Sequence, residues 1–207
     1  MTKPPERTTA DTQPFGYPEA ASEPDAPEAA AEGEGAGSAS AESTNTELGF
    51  AHRTALALRE KFPAEVLEVV TFRGEWTVTV EPDRILEVLG FLRDQWNYKM
   101  CHDVTSVDLY PKEPRFMVVY HLLNLDRATR IRVKAPVSGE HPEIASAVPL
   151  WKGANFMERE VYDLMGIRFK GHPDLRRILM ADDWEGHPMR KDYPLTGSDV
   201  GVDTVKD

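Results

Sequence analysis

The chain has 207 residues, 41% of them apolar, and a formal charge of −11. That length allows one ordinary domain with appendages, and the acidity excludes a surface built for nucleic-acid phosphates or anionic lipid. A single cysteine, Cys101, rules out disulfides, thiolate zinc sites and self-contained iron–sulfur clusters, all of which need several sulfurs.

Residues 1–47 carry ten acidic side chains against Lys3 and Arg7, with ten alanines and six prolines, and end in the Gly/Ser run GEGAGSAS. Such a composition cannot bury enough apolar surface to offset its ordering entropy, so a disordered acidic tail is expected. From Leu48 the pattern changes. Leu48, Ala51, Ala55, Leu58 and Phe62 recur at helical spacing until Pro63. Val66 to Phe72 and the alternating Trp76, Val78 and Val80 predict two strands of a hairpin turning at Arg73-Gly74. Pro82-Asp83 opens a second helix whose Ile85, Leu86, Leu89 and Leu92 make one apolar face. Three strands follow, over Val104 to Leu109, Phe116 to Leu123, and Thr129, Ile131 and Val133 set against Arg130, Arg132 and Lys134. Cys101 reads as a small buried hydrophobe in this strand-rich stretch. The order helix, two strands, helix, three strands predicts an α+β two-layer sandwich with a mixed sheet over 48–136.

After Pro136 strand signals cease. Asn155 to Gly166 predicts a short helix, with Asn155 as N-cap, Glu158 in capping-box position and Gly166 in the left-handed position after the end. On this helix Arg159, Glu160 and Asp163 gather on one side, opposite Met157, Val161, Leu164 and Met165, with Glu158 and Tyr162 on a flank. Residues 166–195 have no period of two or 3.6, yet hold Arg168, Lys170, Arg176, Arg177, Arg190 and Lys191 with Phe169, Trp184, Tyr193 and three prolines. Arg, aromatics and Met are enriched at protein interfaces, and prolines lower the ordering cost of an extended chain. An arm that lies on a partner is therefore expected over 137–195, and Thr196 to Asp207 reads as a frayed end.

Catalytic patterns are scarce. His141, His172 and His187 each precede proline, but no two histidines share a helical face at i, i+4 and there is no HExxH, so no metal site is expected. Glu158 and Glu160 stand two residues apart on a helix and point apart, which argues against an acid–base pair. Nucleophile elbows, Walker loops and dinucleotide-binding turns are absent. The alternative from another class is a small hydrolase using His172, Asp174 and His187, which would need all three in one pocket. No apolar run reaches the roughly 18 residues of a membrane span, and the N-terminus lacks a signal-peptide pattern, so a cytoplasmic location is expected.

The run Glu158-Arg159-Glu160-Val161-Tyr162-Asp163-Leu164-Met165-Gly166-Ile167, then Gly171-His172-Pro173 and Arg176-Arg177-Ile178-Leu179, resembles the signature of the C subunit of respiratory NADH:quinone oxidoreductase (complex I), the 30 kDa subunit family. Asp183-Trp184-Glu185-Gly186-His187-Pro188-Met189-Arg190-Lys191-Asp192-Tyr193-Pro194 is similar to that family's C-terminal segment, and Asp103 to Asp108 is similar to its globular domain. The resemblance implies a structural subunit of the hydrophilic quinone-reducing module. It implies that no cofactor is held in this chain, that FMN and iron–sulfur clusters lie in partner subunits, and that NADH and quinone are substrates of the whole complex. It implies packing on the D subunit, contact with B and other subunits of the peripheral arm, and a peripheral position on the cytoplasmic face of the plasma membrane. Under this resemblance Glu158, Arg159, Glu160, Asp163, His172, Arg176, Arg177, Trp184, His187, Arg190, Lys191, Asp192 and Tyr193 are the candidate interface residues, with no catalytic residue. Related scaffold subunits of membrane-bound hydrogenases or ferredoxin-linked complexes are the nearest alternative, and the full Gly-His-Pro-Met-Arg-Lys-Asp-Tyr-Pro ending resembles the quinone-linked forms more.

Overall fold

The structure, a computed structural model, describes residues 38–194, with side chains from Gly49 onward. The acidic tail lies outside these residues as far as position 37, and the expected frayed end at 196–207 lies wholly outside them. Helix α1 spans Ser38–Lys61, so it begins before Leu48, the first residue whose spacing marked it. Ala51, Ala55, Leu58 and Phe62 are buried, as their spacing requires.

Strands β1 (Val66–Phe72) and β2 (Glu75–Val80) form an antiparallel hairpin. Its two turn residues, Arg73 and Gly74, have φ of 50° and 82°, the paired left-handed conformation that matches the twist of adjoining strands. A short 3₁₀ turn at Pro82–Arg84 leads into α2 (Ile85–Gln95), which buries Ile85, Val88, Leu89 and Leu92. Strands β3 (Met100–Asp108), β4 (Phe116–Asn124) and β5 (Thr129–Val137) complete a five-stranded sheet of order β1-β2-β5-β4-β3. β2 and β5 run parallel and the other pairs antiparallel, so the sheet is mixed.

The period of two in the strands decides which face is covered. Phe116, Val118, Tyr120 and Leu122 of β4 and Ile131, Val133, Ala135 and Val137 of β5 are buried, in one cluster with the apolar faces of α1 and α2. Met117, His121 and Leu123, with Arg130, Arg132 and Lys134, occupy the other, wetter face. At about 1.5–3 kcal/mol for each large aliphatic side chain removed from water, this single layer of contacts dominates the stability of the unit. The chain is thus an α+β two-layer sandwich.

Beyond residue 137 the structure adds what periodicity did not reveal. Strand β6 (Glu143–Ala145) pairs in parallel with β7 (Arg168–Lys170), and helix α3 (Ala154–Met165) runs between them. Three-residue strands are too short to show a period, so nothing in their spacing distinguishes them from loop. Ile144, Ala147, Trp151, Val161, Met165, Ile167 and Phe169 join the same core as the sandwich, so packing continues past residue 136. The N-terminus of α3 also differs from expectation. Amides of Trp151 and Ala154 already bond backward to Ala147 and Trp151, the N-cap is Gly153, and Asn155 lies inside the helix. Glu158 is consequently too deep to serve a capping box. Gly166 at the other end has φ 74° and sends its N–H to the Tyr162 carbonyl, as its position predicted.

Candidate functional site

The end of α3 is where the chain concentrates its polar chemistry. A helix leaves its last carbonyls without partners, at the negative end of its dipole. Here the segment 171–194 folds back and supplies them. The Asp163 carbonyl accepts from Arg177 Nη1 at 3.2 Å and from His187 Nδ1 at 2.9 Å, so that His187 nitrogen carries its proton. The Leu164 carbonyl accepts from the Met189 amide at 3.1 Å, and the Met165 carbonyl from Arg190 Nε at 2.6 Å. A Cβ at Gly166 would collide with the Arg190 guanidinium and the His187 ring, so glycine is required by space as well as by φ.

Asp163 is the centre of this arrangement. Its side chain is fully buried, with Oδ1 2.6 Å from Arg177 Nη1, and Oδ2 accepts from three consecutive amides, Ile178 at 2.9 Å, Leu179 at 2.7 Å and Met180 at 2.9 Å. Burial alone pushes such a carboxyl up, but the Met180 amide, the Arg177 guanidinium and the other two amides outweigh it and hold the group at about 2. Arg159, one turn earlier, donates from Nε to the Arg176 carbonyl at 3.1 Å and from Nη2 to the Arg177 carbonyl at 2.8 Å. Arg177 in turn donates to the carbonyls of Trp184 at 2.8 Å and Gly186 at 3.0 Å. Two arginines and one aspartate of the predicted set therefore tie the arm to its own helix.

A second tie joins the arm to the sheet. Arg115 donates to both oxygens of the buried Asp108, at 3.0 and 2.9 Å, and to both oxygens of Asp192, at 2.9 and 2.6 Å. The Lys191 amide reaches Asp108 Oδ2 at 2.9 Å. These contacts hold the Asp108 carboxyl well below the usual carboxylate range and push the Arg115 guanidinium further up. The Arg115 and Arg190 guanidinium carbons stand 5.0 and 5.3 Å from the Phe116 ring centroid. Arg115 was not singled out from the sequence, because its partner in the arm lies 77 residues away and no local pattern joins them. The tyrosine ring of Tyr193 lies against Gly186, where a Cβ would come within 2.8 Å of it.

The remaining candidates fall elsewhere. Glu160 is exposed, and Arg176 turns its side chain to solvent beside Asp174, at 2.9 Å. Glu158 is buried on the opposite flank, accepting from Ser146 Oγ and from the Ala147 amide, each at 2.6 Å, and burial pushes its carboxyl up to about 7 against those two donors. His172 has Nε2 3.1 Å from the Asn155 carbonyl, whereas His187 sits on Asp163. Those two carbonyls are eight residues apart (163 − 155), about 12 Å along a helix axis, so His172 and His187 serve opposite ends of α3. The arrangement needed for hydrolysis by His172, Asp174 and His187 is not formed. Among the described residues no group of three or more His, Cys, Asp or Glu could hold a metal ion, and no helix is long and apolar enough to cross a membrane.

The arm's outer side differs in kind. Ile178, Leu179, Trp184 and Met189 are exposed, Leu179 by 62% and Met189 by 57%, as are Arg176 and Lys191. Exposed apolar side chains of this kind are enriched at protein interfaces.

Comparison with known proteins identifies the chain's relatives. Residues 78–199 match the model of the family described as respiratory-chain NADH dehydrogenase, 30 Kd subunit. A protein of Geobacter sulfurreducens is 52% identical over 149 residues, covering 72% of this chain and 92% of that relative. One of Geobacter metallireducens is 55% identical over 147 residues, covering 70% and 91%. Both are named as the C subunit of NADH-quinone oxidoreductase. Among solved structures, the trypsin-resistant fragment of Nqo5 (1-134) superposes with a TM-score of 0.54 at 32% identity, covering 61% of this chain and 99% of that one. A chain of the membrane-bound sulfane sulfur reductase, described as an archaeal respiratory membrane complex, gives 0.61 at 26% identity over 70% and 85%.

Proposed function

Since the chain belongs to the respiratory-chain NADH dehydrogenase 30 kDa subunit family, we propose that it is a structural subunit of the hydrophilic quinone-reducing module of a proton-translocating NADH:quinone oxidoreductase. It performs no chemical step and carries no cofactor. Its arm packs principally on the D subunit, with B and other subunits of the peripheral arm nearby, on the cytoplasmic face of the membrane. Flavin and iron–sulfur clusters of those partners carry electrons from NADH to quinone.

The observation that carries this reading is the division of the arm into two sides. Its backbone, the two guanidinium groups of Arg177 and Arg190, and the His187 ring turn inward and bond to α3, while Leu179, Trp184 and Met189 are exposed. The ordering cost of the arm is met within the chain, which favours tight association with a partner surface. Arg176 and Lys191, also exposed, suit carboxylates of that partner.

The test is affinity purification of the full chain from gently solubilised membranes, with the co-purifying chains identified and NADH:quinone reductase activity measured. Recovery of other subunits with activity is expected; recovery of the chain alone would sink the proposal. In the same membranes Arg159→Ala should reduce both the yield of complex and the activity. A second reading follows from the likeness to the sulfane sulfur reductase chain: the same scaffold role in a related complex with another electron donor. Activity with a reduced ferredoxin but none with NADH would select it.

A further inference from the structure

β1 stands at one edge of the sheet, and among the described residues no other strand pairs with its outer side. Proteins blunt such edges with lysine, proline, bulges or very short strands, because a row of free N–H and C=O groups invites another chain. β1 has a bulge between Val66 and Glu68, but from Glu68 to Phe72 it pairs regularly with β2 and has neither lysine nor proline. From the Phe72–Glu75 pair beside the turn, the antiparallel alternation sends the N–H and C=O groups of Thr71 and Val69 outward. The side chains beside this edge are also uncovered. Val70 is 40% exposed and Phe72 69% exposed, both on the sheet face away from the helices.

We propose that β1 is a docking edge for an extended segment of another subunit, which adds a sixth strand to the sheet. This rests on the reading of the chain as a subunit of a larger complex. Backbone pairing fixes the occupant as a strand, with apolar side chains over Val70 and Phe72. Charge fixes its character further. Glu68 lies on the strand itself and has no cation partner among the described residues. An incoming strand with lysine or arginine opposite Glu68 complements this edge.

The test is amide hydrogen exchange over 66–72, followed by mass spectrometry, on the full-length chain alone and in the purified complex. In the complex about two amides of this segment should slow by on the order of 100-fold, the number that the alternation turns outward. Equal exchange in the two states would overturn the proposal. So would protection of the isolated chain that grows with its own concentration, because the occupant would then be a second copy. Thr71→Pro removes an outward N–H, and Thr71→Ala keeps it; circular dichroism of each isolated variant shows that it folds. Loss of the protection in the proline variant alone supports the added strand, and unchanged protection in a folded Thr71→Pro complex refutes it. A chain that enters no complex fails the subunit reading, whereas one that enters with unchanged exchange at β1 fails this proposal only.

Discussion

The two flanks of α3 bury a carboxylate each and treat it in opposite ways. Asp163 meets three amides and a guanidinium and stays ionised down to about pH 2, whereas Glu158 meets one hydroxyl and one amide and is held at about 7. Desolvation dominates at Glu158, which lies deeper in the protein, while Asp163 has two more amides and the positive charge of Arg177 to offset its burial. Asp163 is thus a fixed charge around which 177–180 is ordered, while Glu158 is a group the fold tolerates near neutrality as an acid. The comparison separates a region built to hold a shape from one with a stored cost.

The largest effect that breaks this contrast is Asp163→Ala. It leaves three amides and Arg177 without their acceptor, a loss of about 3–5 kcal/mol, the range for breaking a buried charge pair. Chemical denaturation should show that loss, and limited proteolysis should cut within 171–194 while the sandwich stays intact. Stability equal to that of the parent chain would mean the arm is held elsewhere.

Acid and base should separate the two carboxylates. Asp163 has a folded value below its ordinary 3.8, so its contribution is present above that pH and is lost as pH falls toward 2, about 2 kcal/mol in all. Glu158 runs the other way. Its folded value lies above the ordinary 4.5, so the protonated form favours folding and stability declines by about 3 kcal/mol as pH rises from 4.5 to 7. Glu158→Gln should flatten that decline in a urea titration at several pH values. A decline that survives the substitution would assign it to another group.

Gly166→Ala is expected to cost about 1–3 kcal/mol, combining a left-handed φ with displacement of His187 and Arg190 from the last carbonyls. Thermal unfolding reads it, and the loss should fall when Arg190 is also shortened, since the two changes share one contact.

How much of this was readable follows from range. The sandwich was legible because its strands are long enough to alternate and its helices long enough to show a stripe: Ile131 and Val133 against Arg130 and Arg132, or Leu89 and Leu92 on α2. Gly166 was legible because a helix end is a local event. β6 and β7 were not, at three residues each, nor was the tie of Arg115 to Asp192, which forms only after the chain has folded back. The interface composition of 166–195 was legible, but its inward hydrogen bonds were not, because composition does not say which side of a segment meets its own helix.

Glu160 marks the finest limit of that reading. Helical angle placed it with Arg159 and Asp163, yet the arm crosses only the part of that face where its carbonyls and amides can be reached, and Glu160 is left in water. Glu160→Ala should therefore change the unfolding free energy of the isolated chain by less than about 0.5 kcal/mol, as for an exposed side chain without partners. In the complex the expectation is different in kind. A carboxylate left exposed on α3 is available to a neighbouring subunit, so a loss of assembly without a loss of chain stability would place the partner against this face. A loss of both would mean that Glu160 supports the arm, and that the division between an inward and an outward side is drawn at the wrong residue.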